Sequence, residues 1–167
     1  MAEKTPYSKT VGYALLHAAR LHRVRMAQLL AELGLFPGQE QVLTALAADD
    51  GRTIGDLAAS LRVRPPTASK AIGRLAAQGL VERRSAPGDA RIVRVHLTDE
   101  GKLRAMAVKA VWRVLEDEAV EMLDRKDKKR LRRGLGRIAK SLNAAAGNVA
   151  DATVEEMAAE GEAGADD

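Results

Sequence analysis

Between Arg62 and Arg94, eight cations (Arg62, Arg64, Lys70, Arg74, Arg83, Arg84, Arg91, Arg94) stand against two carboxylates, Glu82 and Asp89. The hydroxyls of Thr67 and Ser69 lie among them. Guanidinium and ammonium groups interleaved with short hydroxyls are the donors that bond phosphate oxygens and base edges. A net +6 over 33 residues therefore points to a polyanionic partner that is bound rather than transformed.

Catalytic chemistry finds little support. Ser60, Ser69 and Ser85 lack a neighbouring His-and-acid arrangement, and the glycine-containing segments do not resemble phosphate-cradling loops. The Asp and Glu pairs fall at helix starts or in the C-terminal segment. Cysteine is absent, which removes disulfides, thiolate metal sites, Cys nucleophiles and thiol redox sensing. The histidines are scattered: His17 and His22 are five apart on one helix, a poor spacing for a shared face, and His96 lies elsewhere. The chain reads as a non-enzyme with no metal site and no cofactor.

The net charge of +4 conceals an asymmetry. From Asp151 onward there are seven acids (Asp151, Glu155, Glu156, Glu160, Glu162, Asp166, Asp167) and no bases, leaving 27 basic and 16 acidic groups, net +11, in residues 1–150. With one Trp, one Phe and two Tyr, the core must be built from Leu, Val, Ile and Ala, a mixture that favours helices. The uncharged runs Thr10–Ala19 and Ser141–Ala150 are far shorter than the roughly 18 residues of a bilayer span. Thr10–Ala19 is not read as a signal-peptide core, because its helical spacing continues past Arg20. A cytoplasmic protein with no membrane partner is expected.

The periodicity predicts the elements that position the cations. Residues 11–33 read as a long helix stopped by Gly34. A second helix has Pro37 in its first turn and carries Val42, Leu43, Leu46 and Ala47 on one side. Asp49-Asp50-Gly51 signals a turn. Thr53, with Asp56 three residues on, caps a short third helix that buries Ile54, Leu57, Ala58 and Leu61. Arg64-Pro65-Pro66 breaks it and starts a fourth, about 66–78, which buries Ala68, Ala71, Ile72 and Leu75 and ends at Gly79. Val93, Val95 and Leu97 then alternate with Arg94 and His96, the return strand of a two-stranded hairpin around Ser85–Asp89. Thr98 caps a fifth helix expected to reach about Leu123, and Asp124 opens a sixth with the stripe Leu131, Leu135, Ile138, Leu142. Residues 148–167, small and acidic, are expected to be disordered.

Helices three and four with their tight turn make a helix-turn-helix, whose second helix can lie in the major groove, and the arginine-rich hairpin follows as a wing. Arg64, Thr67, Ser69, Lys70 and Arg74 are its expected groove-facing positions. Arg83, Arg84, Arg91 and Arg94 alone would suit any solvated hairpin; directly behind a helix-turn-helix they read as DNA contacts.

The run from Leu35 to Met106 resembles the MarR (multiple antibiotic resistance regulator) family. The matching features are the Phe36–Gln39 opening of the second helix, with Phe36 where the family often has leucine, and the "GLVERR" of 79–84. The Asp-x-Arg of Asp89–Arg91 and the "LTDEG" of Leu97–Gly101 match as well. The resemblance implies a mainly α fold: a winged helix-turn-helix with a two-stranded β-wing, plus a dimerisation domain from the N- and C-terminal helices. The corresponding segments are 1–35 (dimerisation helix), 36–98 (DNA-binding domain), 99–147 (dimerisation helices) and 148–167 (acidic tail). It further implies a homodimer that reads a pseudo-palindromic operator in double-stranded DNA, more often as repressor than activator. Arg84 and Arg91 would be wing contacts, Arg91 entering the minor groove and Asp89 orienting the wing through nearby arginines.

Many family members answer to a small aromatic or anionic effector. By position, His17, Arg20, Phe36, Trp112 and Arg113 are the residues to line such a cavity, although packing is the plainer reading of Trp112. The run Arg125–Arg133, seven cations with Asp127, reads as a solvated helix face, and the opposite charge of the C-terminal segment also raises its folding back there. The alternative functions are a nonspecific architectural DNA binder and a winged-helix protein-interaction adaptor. The cationic groove-facing positions argue against the adaptor.

Overall fold

A computed structural model describes residues 6–86 and 89–146, leaving out the side chains of 86 and 89–91. The chain runs α1 (Val11–Glu32), α2 (Gln39–Ala48), β1 (Arg52–Thr53), α3 (Ile54–Leu61), α4 (Pro65–Ala77), β2 (Val81–Ala86), β3 (Asp89–Leu97), α5 (Asp99–Ala119) and α6 (Arg125–Ala145). This is the mainly helical, winged architecture expected, with a small antiparallel sheet in the order β1-β3-β2. No helix among the described residues is long and apolar enough to cross a membrane. The C-terminal segment expected to be disordered lies outside the described residues from Gly147 onward.

Local chemistry sets most of the boundaries. Thr10 accepts from the Tyr13 amide at 3.2 Å to open α1, and Gly34 at φ 67° lets the chain turn away after it. Thr53 and Asp56 close a reciprocal capping box on α3. The Thr53 hydroxyl and amide, with Arg52 and Arg94 nearby, hold the Asp56 carboxyl below its usual range. Asp124 accepts from the Asp127 amide at 2.7 Å to start α6.

Three details differ from expectation. Pro37 stays outside α2, because Gly38 at φ 92° is the N-cap and the Gln39 side chain reaches back to accept the Phe36 amide at 2.8 Å. The wing is three-stranded: Arg52 and Thr53 pair with Val95 and Arg94, a strand too short to show a period. Helix α5 stops at Ala119 rather than near Leu123; the Leu123 amide donates to Val120 in a turn that leaves Asp124 extended for its capping role.

One apolar cluster joins α1, α2, α3, α4, the sheet and α5, through Leu30, Leu43, Leu46, Leu57, Ile72, Leu75, Val95 and Val108. Arg25 of α1 holds Glu118 of α5 in a two-pronged pair, both contacts at 2.7 Å. Further along, at the C-cap of α1, the Arg104 guanidinium donates to the Leu33 carbonyl. Helix α6 has no buried residue, and its apolar stripe is open, with Leu131, Leu135 and Leu142 all well exposed.

The tightest contact lies where α4, the wing and α5 meet. Thr98 donates its hydroxyl to the Gly79 carbonyl at 2.7 Å, and accepts from the Gly101 amide at 3.0 Å. Gly101 sits so close to the Leu80 backbone that a Cβ there would lie 1.9 Å from the Leu80 carbonyl oxygen. That is why the Leu97–Gly101 motif ends in glycine. In an ordinary helix Gly101→Ala would stabilise by about 1 kcal/mol. Here it should destabilise by about 3 kcal/mol or more, read as a lower denaturant midpoint, because backbone must move.

Glu40 is buried at the start of α2, and its Oε2 has no hydrogen-bond partner. Burial pushes its carboxyl pKa up, although the Glu40 and Gly38 backbone and Gln41 draw it back. A raised folded pKa favours folding at low pH, and that contribution is lost as pH rises through it. Glu40→Gln should therefore raise stability by roughly 1 kcal/mol at pH 7–8. The gain should vanish near pH 4 when urea unfolding is followed across pH.

Candidate nucleic-acid interface

Helix α4 turns Ala68, Ile72 and Leu75 inward, so Thr67, Lys70 and Arg74, spaced by three and four residues, share its exposed side. Arg64 caps the same helix from an extended backbone and is exposed. Ser69 is not on this row; it is half-buried on the far flank. Pro65 and Pro66 occupy the first helical positions, so two of the amides that a helix N-terminus usually presents to an anion are missing. Anion contact at this end therefore leans on side chains.

The turn between α3 and α4 spans Arg62, Val63 and Arg64. Arg62 caps α3 with φ 56°, left-handed without being glycine, and is exposed beside the row. Its sequence signal was charge alone; nothing in its type announces that conformation.

The C-terminal end of α4 is latched to the α1–α2 loop. Gln78 donates to the Gly34 carbonyl at 3.0 Å, and its Oε1 lies 3.5 Å from the amide nitrogen of buried Gln39. The Arg74 guanidinium stands over the Phe36 ring, 5.8 Å from its centroid. Phe36 thus orients a cation of the row, a role that no sequence periodicity reveals.

On the wing, Arg84 lies directly across from Arg94, a like-charged pair, while Arg84 binds Glu82 and Arg94 donates to the Gly51 carbonyl at 2.8 Å. Asp50 anchors the wing root by accepting from the Leu97 amide at 2.9 Å and by meeting His96 Nδ1 at 2.9 Å. Partial burial opposes ionisation of Asp50, but the Leu97 amide and His96 outweigh it and hold the carboxyl below the usual range. Asp89 and Arg91 belong to β3, and their side chains lie outside the described residues.

Of the five residues expected to line an effector cavity, His17, Phe36 and Trp112 each meet a different neighbour. His17 stacks on Tyr13 with ring centroids 6.3 Å apart, and Trp112 tilts against His22 at 6.1 Å. Arg20 and Arg113 are exposed on α1 and α5. Phe36 is committed to Arg74 beyond the end of α1, about 24 Å along the axis from His17 at 1.5 Å per residue. An open depression of about 550 Å³ lies instead at the wing root, lined by Asp49, Asp50, Arg52, Asp56, Ser60 and Arg94 among others. Its guanidiniums are already engaged, Arg52 with the Asp56 carbonyl and Arg94 with that of Gly51.

Comparison with known proteins agrees with this geometry. The sequence pattern of the MarR family matches residues 33–92. An uncharacterised helix-turn-helix transcriptional regulator of Mycobacterium leprae is 37% identical over 113 residues, covering 68% of this chain and 74% of its own. Among solved structures, the transcriptional repressor CouR bound to a 23-mer DNA duplex superposes with a TM-score of 0.72 at 28% identity. That match covers 83% of this chain and 99% of the other. The MepR–DNA complex of S. aureus shares the fold, with a TM-score of 0.70 at 23% identity over 79% of this chain and 98% of that one. The chain therefore belongs to the MarR family of helix-turn-helix transcriptional regulators, which are not enzymes.

Proposed function

We propose that this chain is a homodimeric, sequence-specific DNA-binding repressor of the cytoplasm that reads a pseudo-palindromic operator. The observation that carries the reading is the row Thr67, Lys70 and Arg74 on the exposed side of α4, with Arg64 at its head and the wing arginines beside it. The row would enter a major groove, and Arg84 and Arg91 would reach the flanking backbone and minor groove. The DNA-bound state of CouR and MepR supports the partner class.

Dimerisation is supported by what the single chain leaves open. Val11, Leu16, Leu21 and Val24 of α1, Trp112 of α5 and the stripe of α6 are exposed apolar groups on the two terminal helical segments. Burying them against a second copy would join residues 1–35 and 99–147 of two chains. It would set two recognition helices about 34 Å apart, one turn of DNA. Relief by a small aromatic or anionic ligand would act on α1, the α1–α2 loop and α5, where the latch to α4 begins.

Binding of the full chain to the intergenic DNA beside its own gene, against a scrambled duplex at two salt concentrations, tests this directly. A preference of about a thousandfold or more, with two chains per duplex, is expected. Equal affinities that fall together with salt would leave an architectural binder instead. Arg91→Ala should cost about 1–3 kcal/mol of operator affinity if the wing reads the groove, and no change would remove that role.

Phe36→Ala separates orientation from charge. It leaves every cation in place, yet operator affinity should fall about two- to fivefold, the scale of an exposed cation–π contact. Phe36→Tyr should restore it. An unchanged affinity for the alanine variant would mean that Arg74 needs no support.

A further inference from the structure

Helix α6 carries two opposed rows. Leu131, Leu135, Ile138 and Leu142 form one, at intervals of three and four residues. Lys126, Lys129, Arg133, Arg137 and Lys140 form the other at the same intervals, on the far side of the helix. All five cations are exposed, and none has an acidic partner among the described residues. The one acid of α6, Asp127, meets Arg130, which flanks the row between Lys126 and Arg133, at 3.6 Å. The row runs about 21 Å along the axis, with like charges repelling at Lys129–Arg133 and Arg133–Arg137. Helix α6 begins only after α5 has carried the chain about 30 Å onward from the wing.

We propose that the acidic segment 151–167 docks along this cationic row and neutralises it. The segment holds seven acids and no bases, so the charges are complementary in sign and similar in number. It starts six residues after α6 ends, and residues 146–167 can span up to about 70 Å, enough to run back along the whole row. Tethering places it at roughly millimolar effective concentration, so individually weak, salt-screened pairs suffice for a reversible cover. The occupant is read as this segment rather than DNA because the segment is tethered within reach of the row and its acids match the cations in sign and number. Covering the row keeps five cations from holding the DNA backbone without sequence selection, which would blunt any operator preference.

The test is a two-by-two comparison on a duplex lacking any operator, which does not depend on sequence readout. The full chain and a chain ending at Ala150 are each prepared with the native row and with all five cations changed to glutamine. Truncation should tighten binding about tenfold at 50 mM salt in the native background and less than twofold in the glutamine background. The native-background difference should close by about 300 mM salt. Equal tightening in both backgrounds would show long-range repulsion between the acidic segment and DNA, and no tightening in either would show no cover; each overturns the proposal. Zero-length carbodiimide crosslinking of the native chain gives a reading that needs no variant. Links from the acids of 151–167 to Lys126, Lys129 or Lys140 are expected, and their absence would overturn the docking. Loss of operator affinity in the full-length glutamine variant would assign the row to DNA instead.

Discussion

The contact between Gly101 and the Leu80 carbonyl is the constraint from which the DNA-facing geometry follows. At that point the end of α4, the first residue before β2, the last residue of β3 and the first turn of α5 are within hydrogen-bonding reach of one another. The Thr98 amide donates to the Leu80 carbonyl at 3.2 Å, and the Leu80 amide donates back to Leu75 at 2.9 Å. A long helix is thereby fixed to the recognition helix and to the wing through backbone contacts and the short Thr98 hydroxyl. Any displacement of α5 must move α4 and the wing together, because no soft element lies between them. A side chain at position 101 would open this joint and leave the row on α4 without a fixed bearing.

The recognition row is held at both ends by different chemistry. At its head, the left-handed Arg62 and the two prolines restrict the direction in which α4 leaves the turn. At its tail, Gln78 and Arg74 tie the helix to the α1–α2 loop through Gly34, Gln39 and Phe36. The carboxylates of the region serve the scaffold: Asp50 fixes the wing root and Asp56 the start of α3. Both are held ionised by the groups they bind, so the acids stay committed while the cations of the row face outward.

Much of this was legible from residue types. Thr53 with Asp56, Gly79 after Leu75, and the alternation Val95–His96–Leu97 each encode a local rule, and each element stands where its rule places it. The exposed row of α4 followed from helical spacing, except that Ser69 falls on the half-buried flank. What escaped was whatever depends on residues distant in the chain. Strand β1 is two residues long and exists because Val95 and Arg94 are there to pair with it. Phe36 looked like a candidate for an effector cavity on position alone, yet the fold brings Arg74 to its ring. Gly101 was legible as part of a motif, but its steric reason needs the Leu80 carbonyl in place.

Helix α6 shows how far a single chain can specify a surface without completing it. A helix of 21 residues with repeated like charges one turn apart gains little from intrinsic propensity and is marginal in water by itself. Its stability must come from what covers it, and no residue of α6 is buried in the single chain. The two rows call for two different covers: an apolar one for the leucine stripe and an anionic one for the cations. A second copy of the same stripe satisfies the first by symmetry, because an apolar row is complementary to itself. A row of cations is not, since a second copy would repel it, so its cover must come from acids elsewhere. Because these faces are opposed, a second copy on the leucine stripe and the acidic segment on the cations, as proposed above, would not exclude one another.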